Sequence, residues 1–142
     1  MEANPESATL CNRLAWTYLT VPEPLRDAKA AVSLAEKAVR LAPATTEYRN
    51  TLGTAYYRAG RYREAVETLR PNLERPEEEN LAFDLYFLAM SCQRLGETVR
   101  ARDFYAWANR WTGMQPGLQP GQLEQLSLFR AEAAEVLGID RK

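Results

Sequence analysis

Apolar residues recur along this chain at the spacing of one helical face. In the stretch from Asn50 to Arg70 they fall at i, i+3, i+4 and i+7, at Leu52, Ala55, Tyr56 and Ala59, and the same period restarts at Tyr62. Gly60 lies between the two runs and ends the first helix, because glycine can adopt a positive φ. Helices joined by so short a turn must lie antiparallel. Gly53 and Ala65 are small, which predicts that the two helices approach each other closely.

Proline and glycine divide the whole chain into about seven amphipathic segments of this kind. The breaks lie at Pro22 and Pro24, Pro43, Gly60, Pro76, Gly96, 113–121 and Gly138. No segment alternates apolar and polar residues with period 2, so the pattern predicts no strand. The sequence therefore predicts an all-α protein.

The helix pair around Gly60 has a second copy 36 positions further along. The copy keeps the apolar and small residues in register, at Leu88, Ala89, Cys92, Gly96, Ala101, Tyr105 and Ala108. A weaker copy lies upstream, at Leu14, Ala15, Tyr18, Ala31, Ala35 and Ala38, with the longer inter-helix turn "TVPEPLRD". The last segment, 120–138, is a single amphipathic helix, which would close the open end of a stack.

The stretch "LGTAYYRAGRYREAV" resembles the tetratricopeptide repeat (TPR), a helix–turn–helix unit of 34 residues. The resemblance covers nearly the whole chain as one domain: repeats at about 10–43, 48–76 and 84–112, a linker at 113–119 and a capping helix at 120–138. It implies a right-handed superhelical stack of antiparallel helix pairs, an α-solenoid. The long first turn and the "LAWTYL" start are also similar to repeat arrays at the C-termini of large bacterial signalling proteins.

The middle repeat departs from the TPR pattern at three positions. Arg49 stands where an aromatic residue usually opens the first helix, with Tyr48 beside it, and Asn72 replaces a small residue late in the second helix. Pro71 lies inside that second helix, so we expect a kink or an early end there.

The composition argues against catalysis and against a cofactor. The chain has no histidine, which removes the commonest general base and metal ligand. Cys11 and Cys92 lack CxxC spacing and fall in apolar helical contexts, which favours two buried thiols over a disulfide or a zinc site. Glycine-rich "GMQPGLQPG" has no strand–loop–helix frame and predicts a linker rather than a phosphate loop. We expect no enzyme, no metal and no cofactor.

The charge and hydropathy narrow the choice of partner. A formal net charge of −1 gives no overall attraction to nucleic acid or to an anionic membrane. No apolar run approaches the roughly 20 residues of a membrane span, and the first residues do not resemble a signal peptide. We therefore expect a cytoplasmic protein with a protein or peptide partner, and a single-stranded RNA partner is disfavoured despite six arginines in 49–75.

The resemblance implies a binding groove along the first helix of each pair, which lines the concave side of a curved stack. The residues displaced from the core face toward that groove are Asn12, Trp16, Asn50, Thr54, Tyr57, Arg58, Phe83, Tyr86, Met90 and Arg94, with Leu19, Thr20 and Gln93 beside them. Aromatic residues, methionine and arginine are enriched in protein-binding hot spots. The competing interpretation is that the large side chains of this set simply form core.

Three roles follow from this groove, of which a non-catalytic protein–protein interaction module or scaffold is the leading one. A structural segment of a larger bacterial multidomain protein, with its groove occupied in cis, is the alternative, and an RNA-binding helical repeat is the least favoured. Trp107 occupies a position that is usually polar in such repeats. An exposed Trp107 would mark a homodimer contact or the seat of a neighbouring domain, whereas a covered one would pack under the linker.

Overall fold

The computed structural model of this protein describes residues 5–20, 27–74, 81–113 and 119–139. Within these ranges every regular element is a helix, and seven of them are α-helices, as the sequence predicts. The chain forms two compact units, residues 1–72 and 73–142. Most of the first inter-helix turn, Pro76 and most of the 113–119 linker lie outside the described residues. The single-domain assignment and the repeat boundaries stay predictions.

The first unit contains four α-helices. They are α1 (Pro5–Thr20), α2 (Ala28–Leu41), α3 (Thr46–Arg58) and α4 (Tyr62–Leu69). Helix α3 packs against each of the other three, and α1 also packs against α2. A 3₁₀ turn at Arg70–Glu74 follows α4. The early end expected near Pro71 is confirmed, because proline has no N–H to continue the α-helical bonding.

The second unit contains three helices. They are α5 (Leu81–Arg94), α6 (Thr98–Gly113) and α7 (Pro120–Leu137). Helix α5 packs against both α6 and α7, and all of its residues from Leu81 to Cys92 are buried. Proline at the start of α7 and Gly138 after its end fit the usual helix boundaries, since Gly138 has a φ of 71°.

Gly60 and Gly96 turn the chain between the helices of their pairs. Both have positive φ, 80° and 84°. After α3, the Arg61 N–H donates to the Tyr56 carbonyl at 2.8 Å and the Gly60 N–H donates to the Tyr57 carbonyl at 3.0 Å. The same pair of bonds recurs around Gly96. These are Schellman motifs, which satisfy the last helical carbonyls and let the next helix begin immediately.

Gly53 lies where α3 meets α4, as its small size predicts. A Cβ at this position would be 2.4 Å from both Cγ and Cδ2 of Leu69. Leu69 itself is fully buried. The leucine side chain therefore occupies the space that any larger residue at position 53 would need.

Tyr56 connects α3 to α2 through a hydrogen bond. Its hydroxyl donates to Glu36 Oε2 at 2.7 Å, and the Arg61 guanidinium lies 4.7 Å from the centre of its ring. Burial, followed by the hydrogen bond to Glu36 and the charge of Glu36, raises the pKa of Tyr56 well above its ordinary value. The neutral tyrosine is thus favoured in the folded protein.

We expect Gly53→Ala to lower the free energy of unfolding by about 1–3 kcal/mol, because Leu69 cannot move away from the added Cβ without disturbing the core. This loss exceeds the gain from alanine being the better helix former. Gly121→Ala is the matched control in α7, where an added Cβ meets nothing within 4 Å. The control should be neutral, or stabilising by up to about 1 kcal/mol. Urea unfolding of the two variants measures the difference, and equal stability of both would contradict the close contact.

We expect Tyr56→Phe to lower the free energy of unfolding by about 1 kcal/mol at pH 8, through loss of the bond to Glu36. Because the pKa of Tyr56 is raised on folding, its contribution is complete below the unfolded value of about 10 and declines above it. Urea unfolding at pH 8 and pH 11 should therefore show that the difference in unfolding free energy between wild type and variant becomes smaller at the higher pH. A difference that grows with pH would contradict the raised pKa of Tyr56.

Candidate binding surface

Helix α1 contributes Asn12 and Trp16 to the predicted groove. Asn12 is only 8% exposed, and its buried Oδ1 makes no hydrogen bond with any described residue. Trp16, one turn further along the same side of the helix, is partly exposed. This side of α1 therefore holds a buried acceptor without a hydrogen bond, one turn from a partly exposed aromatic ring.

Helix α3 contributes Asn50, Thr54, Tyr57 and Arg58. The first three are buried, and Arg58 is partly exposed. The Thr54 hydroxyl donates to the Asn50 carbonyl at 2.9 Å, so it is already used within the helix. The Arg58 guanidinium lies 5.7 Å from the centre of the Tyr57 ring, within cation–π range. Asn50, Tyr57 and Arg58 all have interactions within the protein.

Helices α1 and α3 belong to the same unit and pack against each other, with the hydroxyls of Thr9 and Tyr48 3.0 Å apart. We call the predicted site residues on these two helices the α1–α3 face: Asn12, Trp16, Asn50, Thr54, Tyr57 and Arg58. Its polar members are mostly buried, whereas Trp16 and Arg58 remain accessible. This pattern gives a largely polar inner part with an aromatic and a cationic side chain at the surface.

Helix α5 contributes the other four predicted residues, and three of them are buried. Phe83 packs edge-on against Phe129 of α7, with ring centres 5.5 Å apart. Tyr86 points to α6, where its hydroxyl bonds Asn109 Oδ1 at 2.6 Å, and burial raises the pKa of Tyr86. Met90 has no exposed surface, and Arg94 is exposed. Contact of Phe83, Tyr86 or Met90 with a ligand stays a prediction, one that would require neighbouring helices to move.

Three buried side-chain oxygens in the described part of the chain lack a hydrogen-bond partner: Asn12 Oδ1, Ser91 Oγ and Gln93 Oε1. Asn12 in the first unit and Gln93 in the second are amides at positions that the sequence predicts to be displaced from the core face of their helices. The sequence singles out both positions, but it gives no sign that their oxygens are unpaired. Pairing depends on neighbours that are distant in sequence, which periodicity does not identify.

Arg49 and Asn72, the two unusual residues of the middle repeat, contact each other. Arg49 Nε donates to Asn72 Oδ1 at 2.8 Å, and Asn72 Nδ2 donates to the Thr46 carbonyl at 3.3 Å. Asn72 is buried, and this amide is therefore satisfied at both ends. Each departure is visible in the sequence on its own, whereas the hydrogen bond between them exists only in the folded chain.

The described residues offer little for metal or thiol chemistry. No group of three or more cysteine, aspartate or glutamate side chains among them is arranged to hold a metal ion. Cys11 and Cys92 are both buried, and neither forms a disulfide. None of the described helices combines the length and the apolar character needed to cross a bilayer.

Comparison with known proteins identifies the family. A family model described as "Anaphase-promoting complex, cyclosome, subunit 3" matches residues 25–108, more than half of the chain. The match runs from just before α2 into α6. This family is built from TPR-like repeats, which generally bind proteins or peptides and are generally non-catalytic. A search of curated proteins found no match. The chain belongs to this family of TPR-like repeats, and it is a protein-interaction module.

Proposed function

We propose that this chain binds an extended segment of a partner protein or peptide on the α1–α3 face. The observation that carries the proposal is the buried Oδ1 of Asn12, which has no partner among the described residues. A polar atom left unsatisfied in this way costs about 1–3 kcal/mol. A ligand that supplies the missing donor recovers this free energy on binding, and reaching the covered oxygen requires the side chains around Asn12 to move aside.

The chemistry of Asn12 matches a peptide backbone. Its amide can accept a hydrogen bond from a main-chain N–H through Oδ1 and donate one through Nδ2. Such contacts recognise extended peptide without regard to its side chains. The backbone of a ligand therefore lies over Asn12, and its side chains extend toward the accessible residues of the face.

Trp16 and Arg58 supply the selectivity. Tryptophan and arginine are among the residues that most often dominate the energy of protein interfaces. The Arg58 guanidinium lies 5.7 Å from the centre of the Tyr57 ring and is partly exposed, so it is placed to pair with a ligand carboxylate. The preferred ligand thus combines an apolar or aromatic side chain for Trp16 with an acidic one for Arg58.

The cytoplasmic location, the scaffold role and the bacterial multidomain context expected from the sequence remain parts of this proposal. So does occupancy of the groove in cis, which would place a segment of a longer chain on the same residues. The α5 positions Phe83, Tyr86, Met90 and Arg94 enter only as a secondary contact. No observation favours RNA over protein as the ligand.

We expect Asn12→Leu to raise the free energy of unfolding by about 1 kcal/mol, since it replaces an unsatisfied buried amide with an apolar side chain of similar size. Asn72→Leu is the matched control in the same unit. It removes an amide that is satisfied at both ends, and should lower stability by about 2 kcal/mol. Thermal and urea unfolding measure both, and a large loss of stability in Asn12→Leu would mean that this amide supports the fold instead of a ligand.

A selection from a random twelve-residue phage-displayed library on the wild-type chain provides ligands for the binding test. We expect Asn12→Leu and Trp16→Ala each to weaken the selected peptides at least about tenfold. Leu14→Ala, on an exposed position of α1, is the control and should leave affinity unchanged. Equal binding by Asn12→Leu would reject the site. Tighter, steeply salt-dependent binding of a single-stranded RNA would reject the ligand class.

A further inference from the structure

Helix α6 carries a basic and aromatic stripe on its outer side. Its members are Arg100, Phe104, Trp107 and Arg110, and we call them the α6 outer stripe. The two aromatic residues are partly exposed and the two arginines are exposed. Together with Asp103, they line a shallow surface hollow of about 380 Å³. Because Glu97 lies 3.6 Å from Arg100, the positive charge of this surface is concentrated at its Arg110 end.

Helix α7 carries a stripe of the opposite charge. Glu124, Leu128, Ala131 and Glu135 follow one another at i, i+4, i+7 and i+11 on its outer side, and we call them the α7 outer stripe. Leu128 is 64% exposed, and both glutamates are exposed. An accessible leucine between two acidic residues is a surface suited to an apolar partner with a basic rim.

We propose that a second copy of this chain docks here, with the α7 outer stripe of one copy packed antiparallel on the α6 outer stripe of the other. At about 1.5 Å per residue, each stripe spans about 15–17 Å between its charged ends. The antiparallel arrangement brings Arg110 to Glu124 and Arg100 to Glu135, and it also opposes the helix dipoles. Leu128 then enters the hollow beside Trp107.

Both stripes belong to the same unit, so each copy can offer one α6 and one α7 surface. A two-fold dimer makes the contact twice. Two-fold symmetry is the commonest symmetry of soluble homo-oligomers. The ion pairs are exposed and contribute little each, so the dimer is weak, in the micromolar range. The contact uses only residues of the second unit, and its failure would leave the proposed function unaffected.

Helix α1 offers the main competing surface. Leu10, Leu14 and Tyr18 are exposed along one side of it, the α1 stripe, and Arg13 is exposed beside them. An antiparallel pairing of two α1 helices centred on Leu14 would bring Arg13 near its own equivalent. If the α1 stripe packed on the α7 outer stripe, Arg13 would pair with only one of the two glutamates of the α7 outer stripe. The α6 outer stripe matches both.

Sedimentation velocity of the full chain from about 5 to 500 μM tests the proposal, and the wild type should pass from monomer to dimer. Arg110→Glu and Glu124→Arg are suited to the test, because Arg100 already lies 3.6 Å from Glu97, the residue just before α6. Each single variant should raise the dissociation constant at least about tenfold, since the dimer contains the altered contact twice. Both positions are exposed, so circular dichroism should show the fold unchanged.

Mixing the two variants provides the decisive measurement. In a heterodimer of Arg110→Glu with Glu124→Arg, one contact is a reversed ion pair and the other is wild type, so equimolar mixing should restore dimerisation to within about threefold of wild type. The matched control mixes Arg110→Glu with Glu135→Arg and should not restore it. Leu10→Ser/Leu14→Ser on the α1 stripe should have no effect. A wild type monomeric at 500 μM, a mixture that stays monomeric, or a dimer lost in the α1 variant would each overturn the proposal.

Discussion

The close approach of α3 to α4 is the constraint on which the first unit depends. Leu69 occupies the volume that a side chain at position 53 would otherwise fill. With α4 packed this tightly on one side, α3 still contacts α2 and α1 on its other sides. The Schellman motif at Gly60 makes the tight pair possible, because it reverses the chain without a long loop. A helix surrounded in this way buries most of its side chains, polar ones included.

The local features of this architecture were readable from the sequence because each depends on a single backbone property. Gly60 and Gly96 mark turns since they adopt positive φ, Pro71 marks the end of α4 since it lacks an N–H, and Gly53 marks a close contact since it lacks a Cβ. The helical period then fixes which side of each helix is apolar. Propensity and period are local quantities, and they were sufficient for the element order and the fold class.

The helical register does not separate groove residues from core residues in a helix that is buried on all sides. Every residue of α5 from Leu81 to Cys92 is buried, so its apolar positions do not separate a core side from a groove side. Tyr86 bonds Asn109 of α6, and Phe83 and Phe87 both contact Phe129 of α7. The capping helix thus covers side chains that the register directs toward a ligand. Where α7 would pack could not be read from the period of α5.

The hydrogen bonds of a buried polar side chain indicate whether it serves the fold or a ligand, and they do so more clearly than the burial of an aromatic side chain does. In the first unit, Arg49 and Asn72 each depart from the repeat pattern. A hydrogen bond joins their side chains, so the two departures together serve the fold. Thr51 and Thr54 donate to carbonyls one turn earlier and also serve the helix itself. Asn12 is buried to a similar degree, but its Oδ1 has no such bond among the described residues. A buried oxygen kept without a partner lowers stability unless something else uses it, and a backbone donor from a bound segment is the use that the chemistry of the amide best supports.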